Sequence, residues 1–545
     1  MNLYKYIILF LLPLTLISAK KDDKYFEIYN SLSTFGRAYE QLNNGYVSDV
    51  NPNELIKQSI IGMVSELDPY TRYEENVGET QSDYLSTGYY IGFGFTVDKV
   101  NSKNTIVKVI EGYPADKAGL RIGDELISID SIYVGKLDQD SLRSILVGKS
   151  GTKAIFKYYR LGHKDSNEVE ITRTEVVIKD VPFQRIIKDS IAYIKLDQFS
   201  VKADFAFRKA LRELEYEGKF NSLIIDLRDN PGGVLQASLR ILELFVPENT
   251  LLLTTRGKLK ENSQDYYSRT IPLYPDLKVA VLINDNSASA SEIVAGAFQD
   301  TDRGVVIGRK SFGKGLVQQT LPLDENSKLR MTIAKYYTPS GRCIQKIDYN
   351  IEKNQYDLSS STLFKTKNGR TVNKEDGISP DKNVNKKDYP EIINNLIKSD
   401  IIFNFAVMHT AKYEKSIEDY KLKVEEFDKF LNFLNEEKRY YKFDELKPIE
   451  DLSNRKYKDV ISSQSQDNLT VLESSLKSDI KKNILENKEQ IIDLINEIST
   501  YILKGREYTF FENIDSDEYI IEAINSLSDK YDTILKANVL IKNEN

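Results

Sequence analysis

The 545-residue sequence contains few of the residue types on which many active sites depend. It has one cysteine, Cys343, which excludes an intrachain disulfide. It has two histidines, His163 and His409, and no clustered set of histidines and cysteines, so neither a metal nor another cofactor is implied. Histidine is the usual base beside a serine nucleophile. A nucleophile in this chain is therefore expected to use a different base.

A strong excess of one charge is also missing. The 75 Lys and Arg residues and 82 Asp and Glu residues give a formal net charge of −7. Because no basic field dominates, nucleic acid is not expected as a primary partner. The chain is too long for a single hydrophobic core, and its length predicts several domains.

The N-terminus contains the apolar run "YIILFLLPLTLISA", which follows Lys5, includes Pro13 and closes on Ser18–Ala19. This run is shorter than the ~20 residues that span a bilayer. The pattern predicts a signal peptide over residues 1–19 and export of the protein to the periplasm. The alternative is an uncleaved anchor, which would keep the protein at the membrane.

Hydrophobic periodicity divides the rest of the chain into four parts. Residues 20–87 have helical spacing, and residues 88–177 show short β-rich runs broken by glycine. Residues 178–387 alternate helices with bare apolar strands, which are typical of a sheet covered on both faces. Residues 388–545 predict an all-helical extension, since only Pro448 and Gly505 interrupt them after Pro390. This extension could be a dimerisation arm, an adaptor site or a lid.

The first candidate motif is "KVAVLINDNSASASEIVAGAFQD", in which a strand leads through a serine-rich loop into a helix. A serine at such a turn is exposed and lies at the positive end of the helix dipole. The small Ala288 and Ala290 leave room for a substrate backbone. The alternative is structural, because Ser289 and Glu292 fit the S-x-x-E capping box.

The second motif is "RGVVIGRKSFGKGLVQQTLPL", which places Lys314 between two glycines. Gln318 would lie on the same face of an extended strand. Burial can lower a lysine pKa by the roughly three units that a base near pH 7 needs. Gln318 could then orient the amine, and Lys310 could add a like charge. The alternatives are a solvated lysine or a phosphate contact, although the P-loop spacing is absent.

The third motif is "LIIDLRDNPGGVLQAS", with a glycine pair between a strand and a helix. The backbone N–H groups of Gly232 and Gly233 could point at an oxyanion, with Ala290 as the other donor. A simple turn at a helix start is the alternative.

These segments closely resemble the C-terminal processing (tail-specific) serine peptidases. The resemblance also includes "YYTPSGRCIQ", "LDPYTRY" and "GISPD", and it covers the chain from about Tyr25 to Lys387. It implies a crotonase-like α/β core with a Ser–Lys dyad. Ser289 would be the nucleophile, Lys314 the base and Gln318 its support.

The resemblance also implies oxyanion donors at Ala290 and at one of Gly232 and Gly233. The segment "YPADKAGLRIGDELISIDSIYV" resembles a PDZ domain of the permuted bacterial kind. In that case the loop Ile91–Gly92–Phe93–Gly94 would capture a peptide carboxylate. The alternative is a β-domain that holds only protein–protein contacts.

The predicted function is an exported serine endopeptidase that recognises the accessible C-termini of protein substrates. One alternative is a non-catalytic PDZ-bearing chaperone or scaffold. Another is an acyl-CoA enzyme of the same fold class, against which the signal peptide and the PDZ domain argue. The C-terminal helices could also support a homodimer or bind an adaptor.

Overall fold

A computed structural model describes residues 22–75, 84–85, 87–188, 190–347, 363–373, 376–385, 387–413, 418–435, 446–453, 462–528 and 530–536. The predicted signal peptide lies outside these residues. Within them, no helix has the length and apolar character needed to cross a bilayer.

The N-terminal segment forms two helices, α1 (Asp22–Gly45) and α2 (Pro52–Ser65). Asn51 caps α2, because its side-chain oxygen accepts two backbone N–H groups of the first turn. The following "LDPYTRY" segment is a turn around Asp68. The Asp68 carboxylate accepts the backbone N–H groups of Tyr70 and Thr71. The turn leads into strand β1 (Arg72–Glu75).

Residues 88–177 form an inserted β-domain. Its elements are β2 (Tyr89–Gly92), β3 (Phe95–Val100), β4 (Lys103–Val109), α3 (Pro114–Lys117), β5 (Glu125–Ile129), β6 (Ile132–Tyr133), α4 (Gln139–Leu146), β7 (Lys153–Tyr159), β8 (Asn167–Thr172) and β9 (Thr174–Val177). The main sheet has the order β3-β4-β5-β7-β8, with β6 beside β5, and β2 pairs with β9. Its core includes Phe93, Phe95 and Phe156, with ring centroids 4.7 and 5.6 Å from Phe156. Because β3 is the first strand in the sheet order, it is an edge strand of the main sheet.

The central domain is built on a six-stranded sheet. Its elements are β10 (Gln184–Ile187), β11 (Ile191–Lys195), α5 (Ala203–Glu217), β12 (Ser222–Asp226), α6 (Leu235–Leu242), β15 (Lys278–Ile283), α7 (Ala290–Asp300), β16 (Val305–Gly308) and β21 (Lys382–Asn383). The order is β10-β11-β12-β15-β16-β21, and all neighbours except β10 and β11 run parallel. Every residue of β11 and β12 is buried. The prediction of strands covered on both faces is confirmed.

A second, antiparallel sheet lies beside the first. Its strands are β13 (Leu251–Gly257), β14 (Gln264–Tyr267), β17 (Leu316–Pro322) and β18 (Ser327–Tyr337), together with β1 from the N-terminal segment. The order is β1-β18-β13-β14, with β17 on β18. A small hairpin of β19 (Leu363–Lys365) and β20 (Thr371–Asn373) completes the strands. Because β1 begins within the "LDPYTRY" segment and pairs with β18, this segment is part of the central domain.

The C-terminal region is helical, as predicted. Its described helices are α8 (Glu391–Lys398), α9 (Ile401–Thr410), α10 (Asp428–Asn435), α11 (Lys447–Ser453), α12 (Ser463–Glu486), α13 (Lys488–Lys504), α14 (Arg506–Glu512), α15 (Glu518–Leu527) and α16 (Tyr531–Lys536). Helices α8 to α13 share their own apolar core. Helices α15 and α16 pack Ile520, Leu527 and Tyr531 on the face of the central sheet that carries Ile224 and Leu282. The last helices therefore complete the core of the central domain.

The C-terminal region also contacts the inserted β-domain. The Asp400 carboxylate accepts the Asn101 backbone N–H at 2.7 Å. A Cβ on Gly123, which has φ +95°, would lie 2.3 Å from Val407 Cγ1. The helical region is thus packed against both the central domain and the inserted β-domain.

Candidate active site

Ser289 stands at the turn between β15 and α7. It directly precedes α7 and has φ 55° and ψ −113°, a conformation that is strained for a residue with a Cβ. A half-buried serine held in this way at a strand-to-helix turn matches the arrangement of a nucleophile elbow.

The two neighbouring serines have structural roles. Ser287 Oγ donates to the carbonyl of Leu227 at 2.8 Å, and Ser291 Oγ donates to the carbonyl of Asn230 at 2.9 Å. Both side chains are fully buried. The expectation that Ser287 or Ser291 serves the local backbone agrees with these bonds, and Ser289 is the serine of this motif that faces a cavity.

That cavity of about 670 Å³ brings together most of the predicted site. Its lining includes Ser289, Lys314, Gln318, Gly232 and Gly233. The loop that follows β12, the loop that follows β15 and the loop that precedes β17 all open into it. The three motifs of the sequence therefore meet at one place, as the resemblance implied.

Lys314 lies in the loop between β16 and β17, and its neighbours fix that loop. Gly313 has φ +88°, and a Cβ on Gly315 would lie 2.8 Å from the Gln345 backbone nitrogen. The Gly315 N–H donates to Gln345 Oε1 at 2.7 Å. The two glycines thus allow the close packing that aims Lys314 into the cavity.

The Lys314 side chain is in an environment that disfavours its charge. Burial, followed by the nearby guanidinium groups of Arg330 and Arg72, lowers the pKa of Lys314 to about 8, against the opposing effect of Glu292 and Asp68. About a tenth of the lysine would then be neutral at pH 7. Lys310 is exposed, and the like charges that act on Lys314 come from the two arginines instead.

The Lys314 ammonium lies over the ring of Tyr70, with Nζ 4.7 Å from the ring centroid. Among the hydrogen bonds of the described residues, none joins Lys314 Nζ to Ser289 Oγ. Gln318 donates to Thr332 Oγ1 at 3.4 Å. Strand β17 begins only at Leu316, so Lys314 and Gln318 do not share a strand, although both face the cavity.

Glu292 joins the serine turn to the lysine loop. Its carboxylate is fully buried and accepts four hydrogen bonds, from the backbone N–H groups of Ser289 (2.8 Å), Gly313 (2.7 Å) and Lys314 (2.9 Å) and from the hydroxyl of Ser311 (2.6 Å). Burial raises the pKa of Glu292, and the four donors oppose that shift. The carboxylate that the sequence assigned to a capping box thus holds Ser289 and Lys314 in fixed relative positions.

Tyr336 connects the same two residues from the antiparallel sheet. Its buried hydroxyl donates to the carbonyl of Ser289 at 3.2 Å and also to the carbonyl of Lys314. Burial raises the pKa of Tyr336 well above its usual value, so the hydroxyl keeps its proton.

The glycine pair packs directly against the serine turn. A Cβ on Gly232 would lie 2.8 Å from both Ser289 Cβ and the Ala290 nitrogen. The Gly232 N–H donates to Asn230 Oδ1 at 2.9 Å. Within the described residues, the N–H groups of Gly233 and Ala290 donate to no acceptor. The structure therefore distinguishes the two glycines, and Gly233 has the available N–H.

Four parts of the chain match profiles of known protein families. The profile "Peptidase family S41" matches residues 190–354, "PDZ domain" matches 90–172, "Probable PDZ-protease, C-terminal helical domain" matches 392–527 and "Activating protease CtpB N-terminal domain" matches 15–77. A carboxy-terminal-processing protease of Bartonella bacilliformis is 33% identical over 58% of this chain and 74% of its own. The chain belongs to the family of PDZ-containing carboxy-terminal-processing proteases.

A second relative agrees. The carboxy-terminal processing protease CtpB of Bacillus subtilis is 35% identical over 57% of this chain and 65% of its own. The solved structure of a photosystem II D1 C-terminal processing protease is 22% identical, covers 65% of this chain and 93% of its own, and has a TM-score of 0.38.

The loop expected to capture a carboxylate in this PDZ domain is already in contact with a tyrosine. The Tyr90 hydroxyl accepts a hydrogen bond from the Gly94 N–H, and burial raises the pKa of Tyr90 to about 12. A Cβ on Gly92 would lie 2.6 Å from Tyr90 Cε2. Phe93 is buried in the domain core, and Ile91 pairs with Glu175 on β9. Of these loop residues, Phe93 therefore directs its side chain into the domain rather than toward a peptide.

Several site residues were not singled out from the sequence. Tyr70 and Arg72 belong to "LDPYTRY" and Tyr336 to "YYTPSGRCIQ", two segments that contributed to the resemblance without a role for their residues. Arg330 lies in no quoted motif. The signal for the first three was available in those motifs, whereas the position of Arg330 became visible only through the pairing of β18.

Exchange of the buried carboxylate is expected to disrupt the site. In Glu292→Gln one oxygen is replaced by an NH₂ group that faces backbone donors, so Ser289 and Lys314 shift. A misplacement of about 1 Å can lower a rate by about 10²-fold. We expect kcat to fall by about that factor while KM changes little, because Glu292 does not line the cavity. Steady-state kinetics measures kcat and KM, and circular dichroism checks that the variant is folded.

Glu248→Gln, an exposed exchange of the same kind, serves as the control. A kcat for Glu292→Gln that equals the control value would contradict the positioning role.

Proposed function

We propose that the protein is an exported serine endopeptidase that hydrolyses peptide bonds with a Ser289–Lys314 dyad in a crotonase-like core. The observation that carries the proposal is the shared cavity, which is lined by Ser289 and by a half-buried Lys314 with a pKa lowered to about 8. A neutral lysine amine can remove the serine proton and later return it to the leaving amine.

The remaining steps use groups of the same cavity. Ser289 Oγ attacks the scissile carbonyl, and the N–H groups of Gly233 and Ala290 stabilise the oxyanion that forms. Its collapse breaks the C–N bond and releases the amine, and water then hydrolyses the ester on Ser289 with Lys314 again as the base. Gln318 orients the amine without adding charge. Because Lys314 Nζ lies over the Tyr70 ring, the lysine side chain must rotate toward Ser289 before the reaction begins.

The substrate class follows from the PDZ domain. Strand β3 is an edge strand, next to the Gly94 loop, and an extended peptide can add to such an edge with its carboxylate in the loop. The substrates would be proteins with accessible C-termini. Export rests on the N-terminal apolar run, which the structure does not describe.

The deciding experiment compares the mature protein from Lys20 with Ser289→Ala and Lys314→Ala. Each form is incubated with an unstructured protein that ends in apolar residues, and again with the same protein amidated at its C-terminus. Mass spectrometry is expected to show cleavage by the wild type alone, and less cleavage of the amidated protein.

Cleavage that survives Ser289→Ala would refute the dyad. Binding without cleavage by every form would favour the non-catalytic scaffold, a reading that the position of Lys314 over Tyr70 also accommodates.

The pH dependence follows from the lowered pKa. Since the neutral lysine is the base, kcat/KM is expected to rise with pH, to reach half its maximum near pH 8 and to level off above it. Removal of a like charge raises the pKa of Lys314, so Arg330→Gln is expected to move this rise to higher pH. Rate profiles from pH 6 to 10 measure it, and a rise that moves to lower pH would exclude Lys314 as the base.

Tyr90 is expected to compete with the substrate carboxylate. In Tyr90→Phe the Gly94 N–H becomes available, and a hydrogen bond of this kind contributes about 0.5–1.5 kcal/mol. A peptide with a free C-terminus should bind roughly 2- to 10-fold more tightly, whereas the amidated peptide should not. Fluorescence anisotropy on the Ser289→Ala background, with Tyr89→Phe as the control, measures it. Equal affinities for both acid and amide would contradict the assigned loop.

A further inference from the structure

Two arginines face each other across neighbouring strands at the cavity wall. Arg72 of β1 is the direct partner of Arg330 on β18. Like charges directly opposite in an antiparallel pair destabilise the sheet. Thr332, two residues from Arg330 and therefore on the same face, is the partner of Gln318. The arginine pair and the predicted support of the base thus share one face of the sheet.

This face forms part of the lining of the Ser289 cavity. Both arginines line it together with Lys314, while Asp229 is the carboxylate in the same lining. Three basic side chains therefore stand against one acidic side chain. When Lys314 is neutral and acts as the base, the two guanidinium groups keep the cavity positive.

Two carboxylates lie in or near this cavity, those of Asp229 and Glu74. Asp229 accepts from the side-chain amides of Asn284 and Asn286 at 2.9 and 2.8 Å. Glu74 forms an ion pair with Arg330 at 3.8 Å and lies outside the cavity lining. Within the lining formed by the described residues, basic side chains therefore outnumber the acidic one.

We propose that Arg72 and Arg330 form a substrate subsite that binds a carboxylate beside the scissile bond. The inference rests on the proposed function and adds a determinant of its substrate class. Guanidinium groups bind carboxylates through paired, charge-assisted hydrogen bonds. An anion between them would also relieve their mutual repulsion. The carboxylate can come from an acidic side chain or from the C-terminus of a short leaving peptide, and the chemistry is the same.

The test uses peptides that span the principal cleavage site of an unstructured substrate. In one series a single glutamate is placed in turn at each position from three residues before to three residues after the scissile bond, and a matched series carries glutamine. In a second series the peptide ends one to three residues after the bond, as the free acid or as the amide. The quantity measured is the acid-to-amide ratio of kcat/KM for full-length protein.

The wild type is expected to prefer the acid about tenfold at one or more positions. Arg72→Gln and Arg330→Gln are expected to lose that preference, while Arg256→Gln keeps it. Arg256 is the matched control because it lies on β13 of the same sheet, exposed and outside the cavity lining. A change in the pKa of Lys314 affects both members of a peptide pair, so the ratio is insensitive to it. The series that shows the preference identifies the source of the carboxylate.

Equal rates for acid and amide at every position in the wild type would overturn the inference, as would a ratio that both cavity variants retain. Binding of the same peptides to Ser289→Ala and to its Arg72→Gln and Arg330→Gln derivatives is measured in parallel. A chain that cleaves no peptide contradicts the proposed function, and the binding ratio then decides the subsite separately.

Discussion

The site depends on one buried carboxylate. Glu292 lies on the first turn of α7, and its carboxylate reaches the loop before β17. This single side chain therefore determines the separation of Ser289 and Lys314. The two loops have little rigidity of their own. The Ser289 loop contains a residue with positive φ, and the Lys314 loop contains two glycines. A buried charge is tolerated only with enough donors, and the four donors of Glu292 meet that condition. Loss of any of these donors would raise the free energy of the folded state as well as loosen the site.

A second charged network connects the C-terminal helices to the loop that carries the proposed oxyanion donor Gly233. Arg228, just before that loop, donates to Asp226 and, at 2.8 Å, to Asp517 at the start of α15. Burial opposes ionisation of Asp226, but Arg228 and Lys195 hold the pKa of its carboxyl well below the usual range. Asp517 also caps α15 by accepting two backbone N–H groups. The C-terminal region therefore supports the loop that carries the proposed oxyanion donor Gly233, in addition to covering the central sheet.

Much of this arrangement could be predicted from the sequence, and the remainder has a physical reason. The strands around Ile224 and Val281 are continuous apolar runs, and the motifs around Ser289 and Lys314 are local in the chain. Glu292 fitted a capping box, and it does accept the Ser289 N–H, but its bonds to residues about twenty positions away are tertiary contacts without a periodic signal. The apolar faces of α15 and α16 were visible as periodicity, which indicates that a face is buried but not which sheet it covers.

Three destabilising features of this structure lie around one cavity. Ser289 has a strained backbone, the half-buried Lys314 has a lowered pKa, and Arg72 faces Arg330. Each lowers stability, and each would serve the proposed chemistry through exposure of a hydroxyl, loss of a proton at a lysine, or attraction of an anion. The surrounding strands show the opposite character, with fully buried apolar side chains and paired backbone groups. Because strain persists only where its surroundings determine the conformation, this well-packed frame is what allows the cavity to hold such costly groups together.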